Sequence, residues 1–259
     1  GFNSFAEGVA AEARWPGASG ARLLGLGISV PAASRASAIE VQHNEEVAES
    51  AAKFASGSDY GALIYSRTAT LLNTFARVYG EERVRRAVGV YTRRYRFAHP
   101  TPNDMIAVFQ NALGPEAAKN MRAALFERAW VDYGIGDAVS SEREPFKGVF
   151  GDPEKPSTGP TIDTRYHGRV LVRRRGTLVF PVDIDIVFDD GAVKREHWDG
   201  QGTTFEIPYE GDRKIAHVVV DPEHRVLLDS NLLDNARAAS SRIVAPRVFS
   251  RGVMTTELL

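Results

Sequence analysis

Apolar residues with helical spacing dominate the first half of the chain. Over residues 71–79 they recur every three or four positions, and residues 81–95 repeat this spacing around Val84, Val88 and Tyr91. An alanine-rich segment at residues 3–15 carries a weaker version of the same pattern. These patterns predict amphipathic helices, each with one face directed at a shared core.

Helix-end signals divide the next part of the chain. Thr101, Pro102 and Asp104 form a capping pattern that predicts a helix running to about Leu113. The Gly-Pro pair that follows ends this helix and starts another, expected to run to about Trp130. Short connections between helices favour an antiparallel helical array.

Two earlier segments give weaker signals. Residues 17–38 mix Gly, Ser, Ala and Pro and are expected to form an irregular connection. Residues 40–54 show only weak helical spacing, and their three glutamates are expected to form a solvated face. Neither segment indicates a site.

In the second half of the chain the hydrophobic period changes from about 3.6 to 2. Apolar and polar residues alternate over residues 182–188, and short runs at residues 169–173, 205–209, 215–220 and 226–228 show strand character. Turn residues such as Asp-Asp-Gly separate these runs. The pattern predicts a small antiparallel β-sandwich.

The predicted fold class is therefore α+β, with an N-terminal α-helical domain followed by a small antiparallel β-sandwich. We place the helical domain at residues 1–140, a Pro- and Gly-rich linker at residues 141–162, and the β-sandwich at residues 163–235. Residues 236–259 form a C-terminal tail.

The amino-acid composition of the chain disfavours several classes of function. The 32 basic and 33 acidic side chains give a net charge of -1, so no overall field favours nucleic acid, and we expect no nucleic-acid partner. Absence of cysteine excludes disulfides and thiol catalysis. No apolar run approaches the roughly 20 residues of a membrane-spanning helix. Localisation stays open between the cytoplasm and the cell envelope.

Several groups of residues could be binding sites or could have only a structural role. Asp183 and Asp185 could suggest calcium, but alternation places them on the solvent face of a strand. The three arginines at 173–175 fit a hairpin edge better than a nucleic-acid patch. Trp198 in a turn could bind carbohydrate, although a buried core residue is the simpler interpretation. The arginines of residues 81–95 could bind phosphate or carboxylate, but a solvated face explains them more simply.

The remaining candidates are Tyr60 and Tyr65, which lead into the apolar helix at residues 71–79. Residues 56–59 have a loop composition, so Tyr65 is expected near a helix start, where a phenol can point out of the core. The alternative is that both tyrosines are ordinary half-buried aromatics. The six histidines include no pair with the i, i+4 spacing of a helical zinc site.

The stretch from Tyr60 to Leu72 resembles the aminopeptidase N family of zinc metallopeptidases, the gluzincin aminopeptidases. In that family a Tyr-x-x-x-x-Tyr spacing is common, and the second tyrosine opens a Tyr-x-Lys-Gly segment. Here Arg67 and Thr68 replace the Lys and Gly, which indicates a divergent branch. The opening Gly-Phe-Asn is similar to the residues that follow the family's third zinc ligand, a Glu.

The resemblance implies that residues 1–135 are the C-terminal half of a gluzincin catalytic domain. Tyr65 would then stabilise the oxyanion, and Tyr60 would be a secondary active-site tyrosine. The zinc cofactor would belong to the longer parent protein, with its ligands upstream of Gly1 and no metal ligand in this chain.

The parent would bind peptides and hydrolyse their N-terminal peptide bond, with the upstream half of its catalytic domain as the partner of this chain. The fragment alone would be inactive. The alternative is a non-enzymatic helical plus β-sandwich binding module, or a pseudo-peptidase.

Overall fold

The computed structural model describes residues 1–17, 19–23, 26–143 and 165–241. These residues form two compact units, each discontinuous in sequence. The helical unit comprises Gly1–Asp132, Arg175–Pro181 and Glu223–Ser230, and the β unit comprises Tyr133–Arg174, Val182–Pro222 and the chain from Asn231 onward. The predicted α+β fold class, helices followed by antiparallel sheets, is confirmed.

The helical unit contains seven α-helices within its described residues and one β-hairpin. A single turn of π-helix joins the third and fourth helices. The elements are α1 (Phe2–Arg14), β1 (Ala21–Leu23), β2 (Leu26–Ile28), α2 (Val30–Val41), α3 (Gly57–Gly61), the π turn (Ala62–Arg67), α4 (Thr68–Tyr79), α5 (Glu81–Arg94), α6 (Pro102–Leu113) and α7 (Pro115–Phe126).

Helices with clear sequence signals form where they are predicted. α5 and α6 match the expected bounds, and Thr101 and Asp104 form a reciprocal capping box at the start of α6. α7 begins at Pro115 as expected but ends at Phe126, before the predicted end. The helical unit also contains a short 3₁₀ turn at Ala51–Lys53.

The prediction of an irregular connection over residues 17–38 is wrong. This region contains the β1–β2 hairpin and most of α2. Ser29 caps α2 by accepting a hydrogen bond from the backbone N–H of Ala32, and a proline follows within the first turn. The helix has an N-terminal signal but only a weak apolar stripe, which explains why periodicity missed it.

Aromatic side chains fill the centre of the helical unit. The ring of Phe75 on α4 lies 6.4 Å from that of Phe109 on α6 and 6.0 Å from that of Phe180. All three residues are fully buried. Phe180 belongs to Arg175–Pro181, so a segment distant in sequence completes this core.

Apart from the β1–β2 hairpin, the strands of the described residues form two antiparallel sheets. They are β3 (Val131–Glu142), β4 (Tyr166–Gly176), β5 (Val182–Phe188), β6 (Val193–Trp198), β7 (Thr204–Gly211), β8 (Ile215–Val220) and β9 (Ala236–Ala238). One sheet has the order β3-β4-β7 and the other β6-β5-β8-β9. Aromatic rings bridge the two sheets, with Trp198 stacked on Phe205 at 5.7 Å and Phe188 at 5.5 Å from Tyr209.

The alternation in β5 is confirmed. Asp183 and Asp185 lie on its outer face and pair with His197 and Arg195 of the neighbouring β6, with contacts of 2.8 and 2.7 Å. Trp198 is buried in the sandwich, as the structural interpretation expected. The predicted strand at residues 226–228 does not form.

The placement of the arginine run at a hairpin edge is wrong. Arg174 lies on β4, the middle strand of its sheet, and is buried. Its guanidinium donates hydrogen bonds of 2.9 Å to the carbonyl oxygens of Gly200 and Gly202. A long cation can enter the interior here because backbone carbonyls satisfy its donors.

The predicted domain limits stay predictions. β3 runs across the expected boundary at residue 140, and β9 follows the expected boundary at residue 235. Most of the expected linker and most of the expected tail lie outside the described residues. None of the described helices is both long enough and apolar enough to cross a membrane.

Candidate active-site tyrosines

Tyr60 and Tyr65 lie inside a continuous helical segment. Ser56 caps α3, and its hydroxyl accepts a hydrogen bond of 3.0 Å from the N–H of Asp59. The predictions of a loop at residues 56–59 and of a helix start near Tyr65 are therefore wrong, because a short capped helix precedes the apolar stripe. The path continues through the π turn into α4 without interruption.

The π turn presents Tyr65 to solvent. A π turn holds an additional residue and often occurs at functional positions in helices. The Tyr65 side chain is 48 % exposed, whereas Leu63 in the same turn is buried. Tyr60 is half-buried, and its ring meets that of Tyr65 edge-on at 6.2 Å. No described residue hydrogen-bonds the Tyr65 hydroxyl, so this phenol is available as a donor.

Gly1 packs directly against the π turn. A Cβ atom at this position would lie 2.5 Å from Thr68 Cγ2 and 3.0 Å from the carbonyl oxygen of Ile64. Any larger residue would therefore displace the helix. The ring of Phe2 stacks on Tyr91 at 5.1 Å and fixes the start of α1 beside this surface. The first residues of the chain and Tyr65 thus lie on neighbouring parts of one unit.

Arg67 has a structural role that the sequence motif does not reveal. It is only 2 % exposed. Its guanidinium donates to the carbonyl oxygens of Ala124, in the last turn of α7, and Ala129. Burial lowers the pKa of Arg67 to about 10. The sequence signal for this role is the residue type, since the planar guanidinium of arginine can reach two carbonyl groups, whereas the ammonium of lysine binds as a point charge.

Grooves in the helical unit are lined in part by residues of α1 and α4. A groove of about 260 Å³ runs beside Gly1 and is mostly apolar, with Ile64, Thr68 and Met105 among its walls. A groove of about 410 Å³ lies between α1 and α4 and carries Glu12 and Arg77. Neither Tyr60 nor Tyr65 is among the residues that line these two grooves.

The described residues contain no group of three or more His, Asp or Glu side chains placed to hold a metal ion. The three glutamates of residues 45–49 lie close together, but Glu49 pairs with Lys53 at 2.8 Å and Glu45 accepts a hydrogen bond of 2.6 Å from the N–H of Ala55. These carboxylates thus serve local structure.

Comparison with known proteins gives limited information. No family model and no curated protein matches the sequence. The solved structure of Legionella pneumophila aminopeptidase A in complex with aspartic acid is similar over 66 % of this chain, with 14 % identity and a TM-score of 0.41. The match spans 18 % of that protein's chain. A similarity at this level carries no argument about activity.

Proposed function

We propose that this chain supplies the oxyanion-stabilising tyrosine of an aminopeptidase-like zinc metallopeptidase, as the C-terminal part of its catalytic domain. One observation carries the proposal: Gly1 packs against the π turn that exposes Tyr65. A chain segment preceding Gly1 would therefore enter beside Tyr65. In the family that the sequence resembles, the preceding residue is a Glu zinc ligand.

The chemistry of a phenol suits this position. When a peptide bond is attacked, its carbonyl oxygen gains negative charge and is stabilised by a fixed hydrogen-bond donor. A tyrosine is neutral at ordinary pH and donates from the end of a rigid ring. The exposed hydroxyl of Tyr65 leaves room for a substrate carbonyl, and Tyr60 restricts the Tyr65 ring by edge-on contact.

Zinc would activate the attacking water in the longer protein. The resemblance places the zinc ligands upstream of Gly1, so we assign no metal ligand to this chain. The proposal accordingly requires ligands upstream of Gly1 and expects the chain alone to be inactive towards peptides.

The test is substitution of Tyr65 by Phe in the full-length protein that contains this chain. We expect kcat for an aminoacyl substrate to fall by about a hundred- to a thousandfold, because one oxyanion donor is lost. Bound zinc and thermal stability should be unchanged, since the phenol is exposed. Tyr60→Phe is the matched control and should give a much smaller loss.

Unchanged turnover in Tyr65→Phe would remove this residue from the mechanism. A second observation tests the family assignment separately. If the coding sequence upstream of Gly1 lacks an HExxH motif and a Glu directly before Gly1, the peptidase proposal fails. The chain would then be a helical plus β-sandwich binding module or a pseudo-peptidase.

A further inference from the structure

Phe97 has both an exposed apolar side chain and an unfavourable backbone conformation. Its side chain is 94 % exposed, so it buries almost no apolar surface. Its backbone φ is 62°, in the left-handed region that favours Gly and Asn and penalises bulky residues. Neither the local conformation nor the core explains a phenylalanine at this position.

The turn that carries Phe97 is well anchored. Its base begins at the end of α5, where the Tyr95 N–H donates to the Tyr91 carbonyl, and the Ala98 N–H then donates to the Tyr95 carbonyl. The Tyr95 hydroxyl donates a hydrogen bond of 3.1 Å to Asp104 in the capping box of α6. Phe97 is therefore held out from the surface by a fixed turn.

Three arginines lie close to Phe97 in the sequence, and one of them contacts its ring. The Arg93 guanidinium lies beside Gly89, one turn back on α5, and that of Arg94 lies 5.5 Å from the Tyr95 ring centroid. Arg93, Arg94 and Arg96 are exposed, and the guanidinium of Arg96 lies 5.0 Å from the Phe97 ring centroid. Among the described residues, no carboxylate forms an ion pair with these three arginines. Arg94 interacts electrostatically with Asp104, a carboxylate that is engaged in the capping box. The turn is thus a local concentration of positive charge.

The preceding turns of α5 are different. Arg85 and Arg86 pair with Glu81 and Glu82 at 3.5 and 3.4 Å, which neutralises that part of the helix. Arg83, in the first turn of α5, instead donates to the carbonyl oxygens of Tyr79 and Ala112. We call the set Arg93, Arg94, Arg96 and Phe97 the basic knob.

We propose that the basic knob docks on membrane surfaces rich in anionic phospholipid. Guanidinium groups form strong hydrogen bonds with phosphate oxygens, and basic side chains are attracted to the negative surface potential. The projecting Phe97 ring would enter the boundary between headgroups and acyl chains. This inference is independent of the proposed peptidase function.

Other anionic partners fit less well. Single-stranded nucleic acid is normally bound along a basic track with several stacking rings, and here the charge is confined to one point with one ring. An acidic peptide would require a groove to receive it. A convex knob with a central apolar ring fits a soft, planar anionic surface.

The test is flotation of the chain with vesicles of phosphatidylcholine containing about one-third phosphatidylserine, against pure phosphatidylcholine vesicles. We expect binding only to the anionic vesicles, and weaker binding at high salt. Each of the changes Arg93→Gln, Arg94→Gln and Arg96→Gln should reduce partitioning about fivefold. Phe97→Ala should reduce it by about tenfold.

Phe97→Gly separates the effect on binding from the effect on stability. Glycine adopts a positive φ without strain, so this change should raise the midpoint of thermal unfolding while it weakens vesicle binding as much as Phe97→Ala does. Phe97→Leu should retain binding. Arg85→Gln and Trp15→Ala are matched controls, since they remove a paired arginine and a half-exposed aromatic elsewhere, and both should bind as the original chain does.

Equal binding to neutral vesicles, or unchanged binding of Phe97→Ala, would overturn the proposal. It would also be overturned if the chain shifted a single-stranded oligonucleotide in a gel and failed to float with anionic vesicles, because the basic knob would then serve a nucleic-acid partner.

Discussion

The structural role of Arg67 depends on the groups that surround it in the fold. The side chain is a cation, yet the helical unit buries it. Its two terminal nitrogens donate to the carbonyl oxygen of Ala124 in the last turn of α7 and to that of Ala129 beyond the helix, while its Nε has no partner among the described residues. The negative end of the helix dipole favours a cation at this place. Arg67 thereby ties the π turn, and with it Tyr65, to the end of α7.

Substitution of Arg67 by Lys should destabilise the protein by about 1–3 kcal/mol, because one ammonium leaves a buried carbonyl without its donor. The free energy of unfolding from urea titration measures this loss. Arg85→Lys, at an exposed position on α5, is the control and should change stability by less than about 0.5 kcal/mol. Equal stability of both variants would contradict the structural role of Arg67.

Asp104 supplies a pH-dependent contribution. Hydrogen bonds from the side chain and backbone of Thr101 lower its pKa below the ordinary value of 3.8. The folded state thus favours the charged form. Its stabilisation is present above pH 3.8 and is lost as the pH falls through the lower pKa of the folded state. We expect Asp104→Asn to flatten the fall in thermal stability with acid, measured by circular dichroism from neutral to strongly acidic pH. An unchanged acid profile would exclude this contribution.

At the scale of helices and strands, some features are set by local sequence motifs and others by close packing between elements. The capping box sets the start of α6, and its pattern is legible in sequence. In the β unit, Gly168 on β4 lies so close to β3 that a Cβ atom would meet the Val139 carbonyl oxygen at 1.8 Å. Contact between two strands, not strand propensity, requires this glycine.

Gly168→Ala should therefore destabilise the protein by about 1–3 kcal/mol, since the strands must separate to admit a methyl group. Gly61→Ala is the matched control, because Gly61 has helical backbone angles and open space around its Cβ position. That control should stabilise the protein by about 0.5–1 kcal/mol. Chemical denaturation of both variants measures the contrast, and a tolerated Gly168→Ala would contradict the described sheet packing.

At the scale of the whole molecule, each unit is assembled from separate stretches of chain. The helical unit needs Phe180 for its aromatic core, and the Arg35 guanidinium donates a hydrogen bond of 2.7 Å to the Asp229 carbonyl oxygen within the same unit. A cut at the predicted boundary of residue 140 would remove both partners. The helical unit is therefore not a simple N-terminal segment.

We expect a truncated chain of residues 1–140 to lose cooperative thermal unfolding, which calorimetry would detect. In the full chain, Phe180→Ala alone should cost about 3–5 kcal/mol, because it leaves a cavity between buried rings. A truncated chain that unfolds cooperatively near the temperature of the full chain would show that the later segments are dispensable.

The sequence by itself determined the α+β class, the helices with clear caps or stripes, and the alternating strands, because these depend on interactions between near neighbours. It also identified Tyr60 and Tyr65 as candidates. Only the tertiary structure decided that Tyr65 lies on a π turn against Gly1, that Arg67 and Arg174 are buried, and that Phe180 completes the helical core. These features depend on contacts between residues far apart in the chain, which no local pattern records.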